Sequence, residues 1–293
     1  MLSIITKNCF LCVLQRVRHE YCDLYVYIID SKWEDKVFKV CQYVVTSIEQ
    51  HLPNATLGYS DPSTGSDVLS ILELFLDNSQ VPVCGSQLLI LVKRYPNSQD
   101  ISPIVARLRQ HHAYVFFIVS NNNSGGSSPE ILYNIATETN GFCGFQDEDK
   151  FSEVLITRAV FSMKKVQSAA LGPSGMYPNL IYATNVRVSG KGSTILPPYD
   201  AKNVPITDIM LTLQDHGPLS SFQRFKLSWN NIDSDDSGNL DNSKSDVEKL
   251  YGNSTFYDPD ALLFLDPVVY NITFEYEYSD TKSQVLQIRF YSH

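Results

Sequence analysis

The sequence predicts an α/β domain with a doubly wound, mostly parallel sheet, followed by an all-β antiparallel sandwich domain. Its 293 residues suggest two domains, since a domain commonly holds about 150 residues. Up to about residue 163, apolar strands alternate with amphipathic helices, which is typical of a parallel sheet covered by helices on both faces. Beyond about residue 165, short β-branched and aromatic segments separated by Gly, Pro, Asn and Asp predict antiparallel strands.

The α/β pattern begins with LYVYII at 24–29, a continuous apolar run that predicts a buried strand. Similar runs at 87–92 and 113–119 predict two more buried strands. Residues 55–60 and 142–145 predict short strands. Apolar residues at i, i+3, i+4 and i+7 spacing predict the intervening helices. These helices are expected at 37–52, 68–76 (with Asp67 as N-cap), 101–111, 129–139 and 148–163.

The second half of the chain alternates with the period of two that is typical of half-buried strands. The expected strands are 180–188, 205–213, 222–229, 268–278 and 283–291, with a short helix at 244–251. The predicted organisation is an N-terminal segment at 1–21, the α/β domain at 22–163, a linker at 164–178 and the sandwich domain at 179–293.

Residues 1–21 have the character of a poor signal peptide. They are partly apolar, but Lys7 and Asn8 interrupt the apolar stretch and no positively charged segment precedes it. Three interpretations stay open: a damaged signal, a truncated gene model, or an ordinary part of the fold.

Charge and motif content exclude several classes of function. The net charge of −9 and the lack of a basic stripe argue against nucleic-acid binding. No apolar run reaches the roughly 18 residues that a transmembrane helix needs. The sequence contains no G-x-S-x-G, Walker A, G-x-G-x-x-G or H-E-x-x-H motif, and its six histidines are scattered. We therefore expect no catalytic residues and no cofactor.

Four N-x-[ST] sequons predict N-glycosylation and an extracellular location. The acceptor residues are Asn54, Asn122, Asn253 and Asn271. Asn122 lies in NNNSGGSS, which predicts an exposed loop. Asn271 shares a period-2 face with Thr273 and Glu275, which is the solvated face of the expected strand.

The acidic segment 233–244 resembles an EF-hand calcium loop through nine positions. Its candidate ligands at positions 1, 3, 5 and 9 are Asp233, Asp235, Ser237 and Asp241, with Gly238 at the turn. Position 12 should be a bidentate Glu but is Lys244. We therefore expect a long, exposed loop between two strands, with either no calcium binding or binding no tighter than about 10⁻⁴ M.

Four segments carry a resemblance to a known family: LYVYIIDSK, STGSDVLSILELF, QLLILVKRYPN and LYNIATETNGFCGF. They make residues 22–163 similar to a von Willebrand factor A-like domain. Residues 95–141 are more narrowly similar to a nematode-expanded family of extracellular proteins, in which a divergent A-like domain often accompanies C-type lectin or CUB-like modules. The resemblance implies secretion or surface display, with a role in defence or surface interactions.

Many von Willebrand A domains bind Mg²⁺ through Asp-x-Ser-x-Ser, a later Thr and a further Asp. In this sequence Asp30 matches the first Asp and Thr64 matches the Thr. Lys32 and Glu34 replace the two serines, and KRYPN has no Asp at the last ligand position. The resemblance therefore implies a degenerate site, with Lys32 near Asp30 and no bound metal.

The resemblance also implies a disulfide between Cys22 and Cys84. In the A-domain strand order the strands that follow these two cysteines are parallel neighbours, which places both cysteines at one end of the sheet. Cys143 stays a competitor because it also lies near the start of a strand. Connectivity does not follow from sequence alone.

Taken together, these features predict a secreted or surface-associated protein with a non-enzymatic recognition or scaffolding role. The expected partner is an extracellular protein or a glycan. The alternative is a calcium-dependent ligand-binding or adhesion module.

Overall fold

A computed structural model describes residues 10–17, 22–29, 60–77, 83–150, 180–201, 206–231, 236–259, 262–264 and 266–292. The described residues through Cys143 form one compact unit, and those from Gly144 onward form a second. The division falls within one strand, Phe142–Gln146. The predicted linker at 164–178 lies outside the described residues.

The first sheet has five strands in the order β2-β1-β3-β4-β5. They are β1 (Phe10–Val17), β2 (Cys22–Ile29), β3 (Gln87–Val92), β4 (Tyr114–Ser120) and β5 (Phe142–Gln146). β1, β3 and β4 run parallel, so that Phe10 pairs with Gln87 and Gln87 pairs with Tyr114. β1 and β2 are antiparallel.

This topology shows that the predicted doubly wound, von Willebrand A-like sheet is wrong. The chain is mostly β, and its first sheet begins with an antiparallel hairpin. Residues 10–17, expected to precede the domain, form β1 between β2 and β3. The physical reason is the short connection at 18–21, because a parallel crossover needs a dozen or more residues.

Within the described residues of the first unit there are three helices: α1 (Val68–Leu76), α2 (Ser102–Gln110) and α3 (Glu130–Glu138). They confirm the helices predicted at 68–76, 101–111 and 129–139. Val68, Leu72 and Phe75 of α1 are each about 1% exposed, as the predicted apolar stripe requires. Asp67 is the N-cap residue of α1, as predicted, but its side chain does not accept the capping hydrogen bond of the helix. The helix predicted at 37–52 lies outside the described residues, as do residues 55–59 of the strand predicted at 55–60 and residues 151–163 of the helix predicted at 148–163. Glu148–Lys150 form a short 3₁₀ helix.

The second unit contains two antiparallel sheets, in agreement with the predicted antiparallel β-rich second half. Their orders are β10-β9-β13-β7 and β11-β8-β14-β6, with β12 paired to β8. The strands are β6 (Leu180–Val188), β7 (Lys191–Asp200), β8 (Ile206–Thr212), β9 (Phe222–Asn231), β10 (Ser237–Ser243), β11 (Phe256–Tyr257), β12 (Leu262–Phe264), β13 (Val269–Tyr278) and β14 (Gln284–Ser292).

One hydrophobic core joins the two sheets of the second unit. Alternate residues of strands from both sheets enter it, such as Leu227 and Phe274 from one sheet and Ile288 from the other. The ring centroids of Phe225 and Tyr257 lie 4.9 Å apart in an edge-on arrangement. This burial follows the period-two pattern of the sequence and leaves the alternate residues of β9 and β13 facing away from the core.

Helix α4 (Lys244–Tyr251) confirms the helix predicted at 244–251. It begins with a capping box, in which the Ser243 hydroxyl accepts a hydrogen bond from the Asp246 N–H and the Asp246 carboxylate accepts one from the Ser243 N–H. The Ser243 hydroxyl also donates to the Asp246 carboxylate at 2.6 Å, and this bond, followed by that from the Ser243 N–H, lowers the pKa of the Asp246 carboxyl below its ordinary value. The cap fixes the point at which β10 ends and the helix begins.

Candidate binding surfaces

Three loops of the first unit meet at the carboxyl ends of β3 and β4. We call residues 60–67, 93–101 and 121–129 the three-loop cluster; the last two loops directly follow β3 and β4. Ser66 N–H donates to the Tyr95 carbonyl at 2.8 Å, and Gly126 N–H donates to the Pro62 carbonyl at 2.9 Å. This edge is where open α/β sheets place their ligands.

Arg94 is the central side chain of the three-loop cluster. It is only 5% exposed, and its Nη1 donates to the Thr64 carbonyl at 2.7 Å and to the Asp61 carbonyl at 3.1 Å. A guanidinium suits this position because it carries only donors, held in a rigid plane. Arg94 therefore ties the loop before α1 to the loop after β3.

Two glycines allow the loops to approach so closely. A Cβ on Gly125 would lie 2.1 Å from Arg94 Nη1, and a Cβ on Gly126 would lie 1.9 Å from the Tyr95 carbonyl oxygen. Both glycines also have positive φ, 145° and 77°. The Gly-Gly pair in NNNSGGSS is thus a packing requirement as well as a turn signal.

The expected degenerate metal site falls partly in this cluster. Asp30 and Lys32 lie outside the described residues. Thr64 is present, but its carbonyl oxygen already accepts a hydrogen bond from Arg94. Among the described residues, no group of three His, Cys, Asp or Glu side chains is placed to hold a metal ion. The Arg94 charge would also oppose a nearby cation.

The carboxylate of Asp61, in the first loop of the three-loop cluster, accepts hydrogen bonds from within its own loop. The Asp61 carboxylate accepts hydrogen bonds from the Ser63 hydroxyl at 2.7 Å and from the Ser63 N–H at 2.8 Å. These bonds, with the charge of Arg94 as a lesser cause, hold the pKa of Asp61 below its ordinary value. Asp61 is therefore ionised at neutral pH and shapes its own loop.

A second loop, in the second unit, is organised by Gln214. We call residues 213–222 the Gln214 turn. The amide Nε2 of Gln214 donates to the carbonyls of His216 (2.8 Å) and Pro218 (3.0 Å). Its Oε1 accepts from the N–H groups of Ser220 (3.2 Å) and Ser221 (2.9 Å). One uncharged, fully buried side chain thus satisfies both donors and acceptors of the turn.

The Gln214 turn is also tied to β14. Asp215 accepts the Val285 N–H at 3.2 Å through one oxygen and approaches His216 Nδ1 at 2.7 Å through the other. Gln284 Nε2 donates to the Ser221 hydroxyl at 3.1 Å. The Asp215–His216 pair therefore stabilises the turn and its attachment to β14.

The sheet β10-β9-β13-β7 presents a largely polar surface that we call the outer face. It consists of the side chains that alternate with the buried ones along each strand. Its members are Lys191, Ser193, Ile195, Arg224, Lys226, Ser228, Asn230, Ser237, Asn239, Asp241, Asn271, Thr273, Glu275 and Glu277. None of these is buried, so the outer face is available to a partner.

Charges on the outer face are arranged in pairs. Arg224 contacts both carboxylate oxygens of Asp241, at 2.8 Å from Nε and 2.5 Å from Nη2. Two further pairs lie nearby: Lys191–Glu277 at 2.9 Å and Lys226–Glu275 at 3.7 Å. Exposed ion pairs of this kind add little to stability. Their main effect is to fix the positions of opposite charges on the outer face.

The calcium-loop prediction is not supported by the described part of 233–244. Residues 237–243 form β10, not a loop: Ser237 pairs with Asn230, and Asp241 lies four residues further along an extended strand. That spacing is about 13 Å, whereas two ligands of one calcium ion lie within about 5 Å of each other. Asp241 instead pairs with Arg224. Asp233 and Asp235 lie outside the described residues.

Gly238 does not form the turn of an EF-hand loop that the sequence predicted. It lies within β10, where a Cβ would come within 2.4 Å of Trp229 Cζ2. The glycine therefore makes room for the indole of the neighbouring strand. The resemblance to a calcium loop arises because Asp, Ser, Asn and Gly also suit a twisted, exposed edge strand.

The described sequon asparagines are all exposed. Asn122 lies in the three-loop cluster, Asn253 follows α4, and Asn271 lies on β13. Asn271 is on the outer face with Thr273, which confirms the predicted solvated side of that strand. Asn54 lies outside the described residues. Glycosylation itself stays a prediction.

The structure does not form the predicted Cys22–Cys84 disulfide, since Cys84 is a free, exposed thiol. Cys84 precedes β3, whose Gln87 pairs with Phe10 at one end of β1. Cys22 pairs with Val17 at the other end. The two ends are roughly 23 Å apart along β1, far beyond the limit of about 7 Å for bonded cysteines. The prediction fails because β2 runs antiparallel to β1, whereas β3 runs parallel to it.

Cys143, the expected competitor, is fully buried on β5. Burial raises the pKa of its thiol well above the ordinary value. A thiol in this setting behaves as a small hydrophobic side chain.

Sequence reasoning missed the two organising side chains, Arg94 and Gln214. Arg94 had a readable signal, because it closely follows a fully apolar strand and precedes Tyr-Pro. Gln214 had only the Gly-Pro two residues after Asp215 to mark a turn nearby. A buried polar side chain is identified by its partners, which lie far along the chain in the case of Arg94.

Comparisons with known proteins cover parts of the chain. A family model described as a domain of unknown function (DUF7154) matches residues 184–293, within the second unit. No curated protein matches the chain. Within the described residues, no helix has the length and apolar character needed to cross a membrane.

Two solved structures show weak similarity to the chain. A Yersinia pseudotuberculosis-derived mitogen is 10% identical with a TM-score of 0.24, and the match covers 40% of this chain and 88% of the mitogen. CapF, solved with the inhibitor 3-isopropenyl-tropolone, is 8% identical with a TM-score of 0.19, and the match covers 78% of this chain and 86% of CapF. TM-scores this low support no argument about fold or function.

Proposed function

We propose that this chain is an extracellular recognition or scaffolding protein that acts without catalysis. The observation that carries the proposal is the outer face, a sheet surface on which three cations and three anions are held in pairs. The exposed sequon asparagines support the extracellular location. The resemblance to a nematode-expanded extracellular family is an expectation that points the same way.

The chemistry of the outer face favours a protein partner over a glycan. Its fixed charges alternate in sign, so they favour a partner with a complementary pattern and disfavour others. None of the described outer-face side chains is aromatic. Aromatic rings are the groups on which sugar rings commonly stack, and a face without them suits polar protein contacts better.

A charge swap tests this proposal with little risk to folding. Exchanging the partners of one pair (Arg224→Asp with Asp241→Arg) keeps the ion pair but inverts the pattern. The secreted protein and the swapped variant are screened against arrays of extracellular proteins and glycans. We expect a protein ligand whose dissociation constant rises at least about tenfold in the swapped variant, as for loss of a charge match.

Arg187→Glu is the matched control, because Arg187 is exposed on β6 of the other sheet. It should leave the dissociation constant unchanged. Absence of any ligand, or a ligand that responds equally to the swap and to the control, would contradict the proposed role of the outer face.

Measuring the melting temperature during a calcium titration distinguishes the proposed function from the alternative, a calcium-dependent ligand-binding or adhesion module. We expect no shift in melting temperature, because Asp241 is held by Arg224 on an extended strand. A shift at submillimolar calcium that Asp241→Ala abolishes would instead support the calcium-dependent alternative.

A further inference from the structure

The outer face has an apolar part beside the Asn271 sequon. Ile195 on β7 is 82% exposed and pairs directly with Thr273, the third residue of the sequon. Asn271 and Ile195 are therefore diagonal neighbours across two strands, within reach of extended side chains. On an otherwise polar and charged surface, this isoleucine lies outside the hydrophobic core formed by the described residues of the second unit.

Two prolines extend the apolar part. The pairing of β7 with β13 shifts register between Tyr270 and Ile272, opposite Pro197 and Pro198. Both prolines are exposed. Ile195, Pro197 and Pro198 thus form what we call the apolar strip, which flanks Asn271 on the β7 side.

Pairing of a second copy along β7 is opposed by the same residues. β7 is the edge strand of its sheet. A proline lacks the N–H that an added strand would bond, and two in succession with a register shift interrupt the edge. The apolar strip is therefore better suited to a group that covers side chains than to an added strand.

We propose that an N-linked glycan on Asn271 packs its first N-acetylglucosamine against the apolar strip. This inference rests on the extracellular location proposed above. The C–H-rich face of the sugar and its acetyl methyl group would cover Ile195 and the proline rings. The polar edge of the sugar would face Asn230, the residue paired with Asn271 on β9.

The modification requires a lipid diphosphate-linked oligosaccharide as donor, as in the secretory pathway. The amide Nδ2 of Asn271 forms a bond to C1 of the first sugar. The bond from C1 to the diphosphate oxygen breaks, and the proton lost from Nδ2 leaves with the released lipid diphosphate. The charged pairs of the outer face stay uncovered for a protein partner.

The first measurement is site occupancy, by mass spectrometry of the full chain secreted from eukaryotic cells. We expect Asn271 to be occupied. Occupancy at Asn122 or Asn253 without occupancy at Asn271 would overturn this inference while leaving the extracellular proposal intact. Occupancy at no sequon would contradict both.

The second measurement is a thermal double-mutant cycle on Ile195→Ser and Asn271→Gln. We expect each single variant to lower the melting temperature by about 2–4 °C, corresponding to a contact of ordinary size. The double variant should be no less stable than either single variant, because both changes remove the same contact. Strictly additive shifts would overturn the inference.

Two controls keep the cycle specific. Asn122→Gln removes a sequon in a polar loop and should not interact with Ile195→Ser. Trimming every glycan to a single N-acetylglucosamine should preserve the melting temperature, since only the first sugar contacts the apolar strip. A large loss on trimming would show that outer sugars, and not the strip, provide the stabilisation.

Discussion

The three-loop cluster and the Gln214 turn both need hydrogen-bond partners for the backbone polar groups of their loops, and they obtain them in different ways. Each is a loop region organised by a single buried polar side chain, Arg94 in one and Gln214 in the other. Arg94 donates to two backbone carbonyls. Gln214 bonds two carbonyls and two N–H groups at once.

The difference follows from the hydrogen-bonding capacity of the two groups. An amide has donors and an acceptor, so it can complete a whole turn without burying a charge. A guanidinium only donates, so the N–H groups of its loops must find carbonyls elsewhere in the backbone. In the three-loop cluster they do so by close backbone approach, as between Gly126 and Pro62. The same close packing leaves no room for a Cβ at Gly126, which would meet the Tyr95 carbonyl oxygen at 1.9 Å.

The largest effect should come from Gly126→Ala, which tests whether close approach is essential. The new Cβ would meet the Tyr95 carbonyl at 1.9 Å, and φ is +77°. We expect the free energy of unfolding to fall by about 4 kcal/mol, from strain and overpacking together. Chemical denaturation of the full chain measures this loss.

Gly85→Ala is the matched control, because Gly85 has nearly the same φ (+76°) but nothing within 4 Å of its Cβ. Its cost should be about 1 kcal/mol, from backbone conformation alone. Equal losses for the two variants would show that φ, and not the approach of the loops, makes glycine necessary.

The next largest effect should come from Gln214→Leu. Leucine has a side chain of similar volume but makes none of the amide hydrogen bonds. The exposed parts of the turn can bond water, but the Ser221 N–H is buried. We expect a loss of about 3 kcal/mol in the free energy of unfolding, since each buried unpaired group costs about 1–3 kcal/mol.

Gln214→Glu tests the same hydrogen bonds by making the stability of the chain depend on pH. A buried carboxyl facing the carbonyls of His216 and Pro218 should have its pKa raised above the unfolded value. The stability of this variant relative to the unsubstituted chain should therefore be greatest below the unfolded pKa, near about 4, and fall as pH rises towards the folded pKa. Denaturation at several pH values measures this; a variant that gains stability as pH rises would contradict the donor role of Nε2.

The smallest effect should come from Arg94→Met, which removes the donor of the Thr64 carbonyl and leaves the Asp61 carbonyl with the Thr64 N–H alone. We expect a loss of about 2 kcal/mol, because these carbonyls lie near the surface and water can replace part of the contact. Faster proteolysis of residues 60–67 should accompany it. Arg94→Lys keeps the charge but loses the planar donor set, so it should restore only part of the stability. Full restoration by Lys would show that charge alone matters there.

Periodicity alone determined much of the local structure. The apolar stripe at Val68, Leu72 and Phe75 predicted α1, and the alternation around Asn271 predicted which side of β13 faces solvent. Helix α4 also begins and ends where the sequence predicts it. These features depend on near neighbours in the chain, which is why a single sequence contains them.

Tertiary structure alone decided the topology and the binding surfaces. Whether β1 or β3 lies beside β2 depends on pairing between distant segments, and it placed Cys22 and Cys84 at opposite ends of the sheet. The acidic segment became strand β10 because Arg224 and Trp229 of β9 offered partners to Asp241 and Gly238. Such outcomes depend on which distant side chains meet, and spacing along the chain does not contain that information.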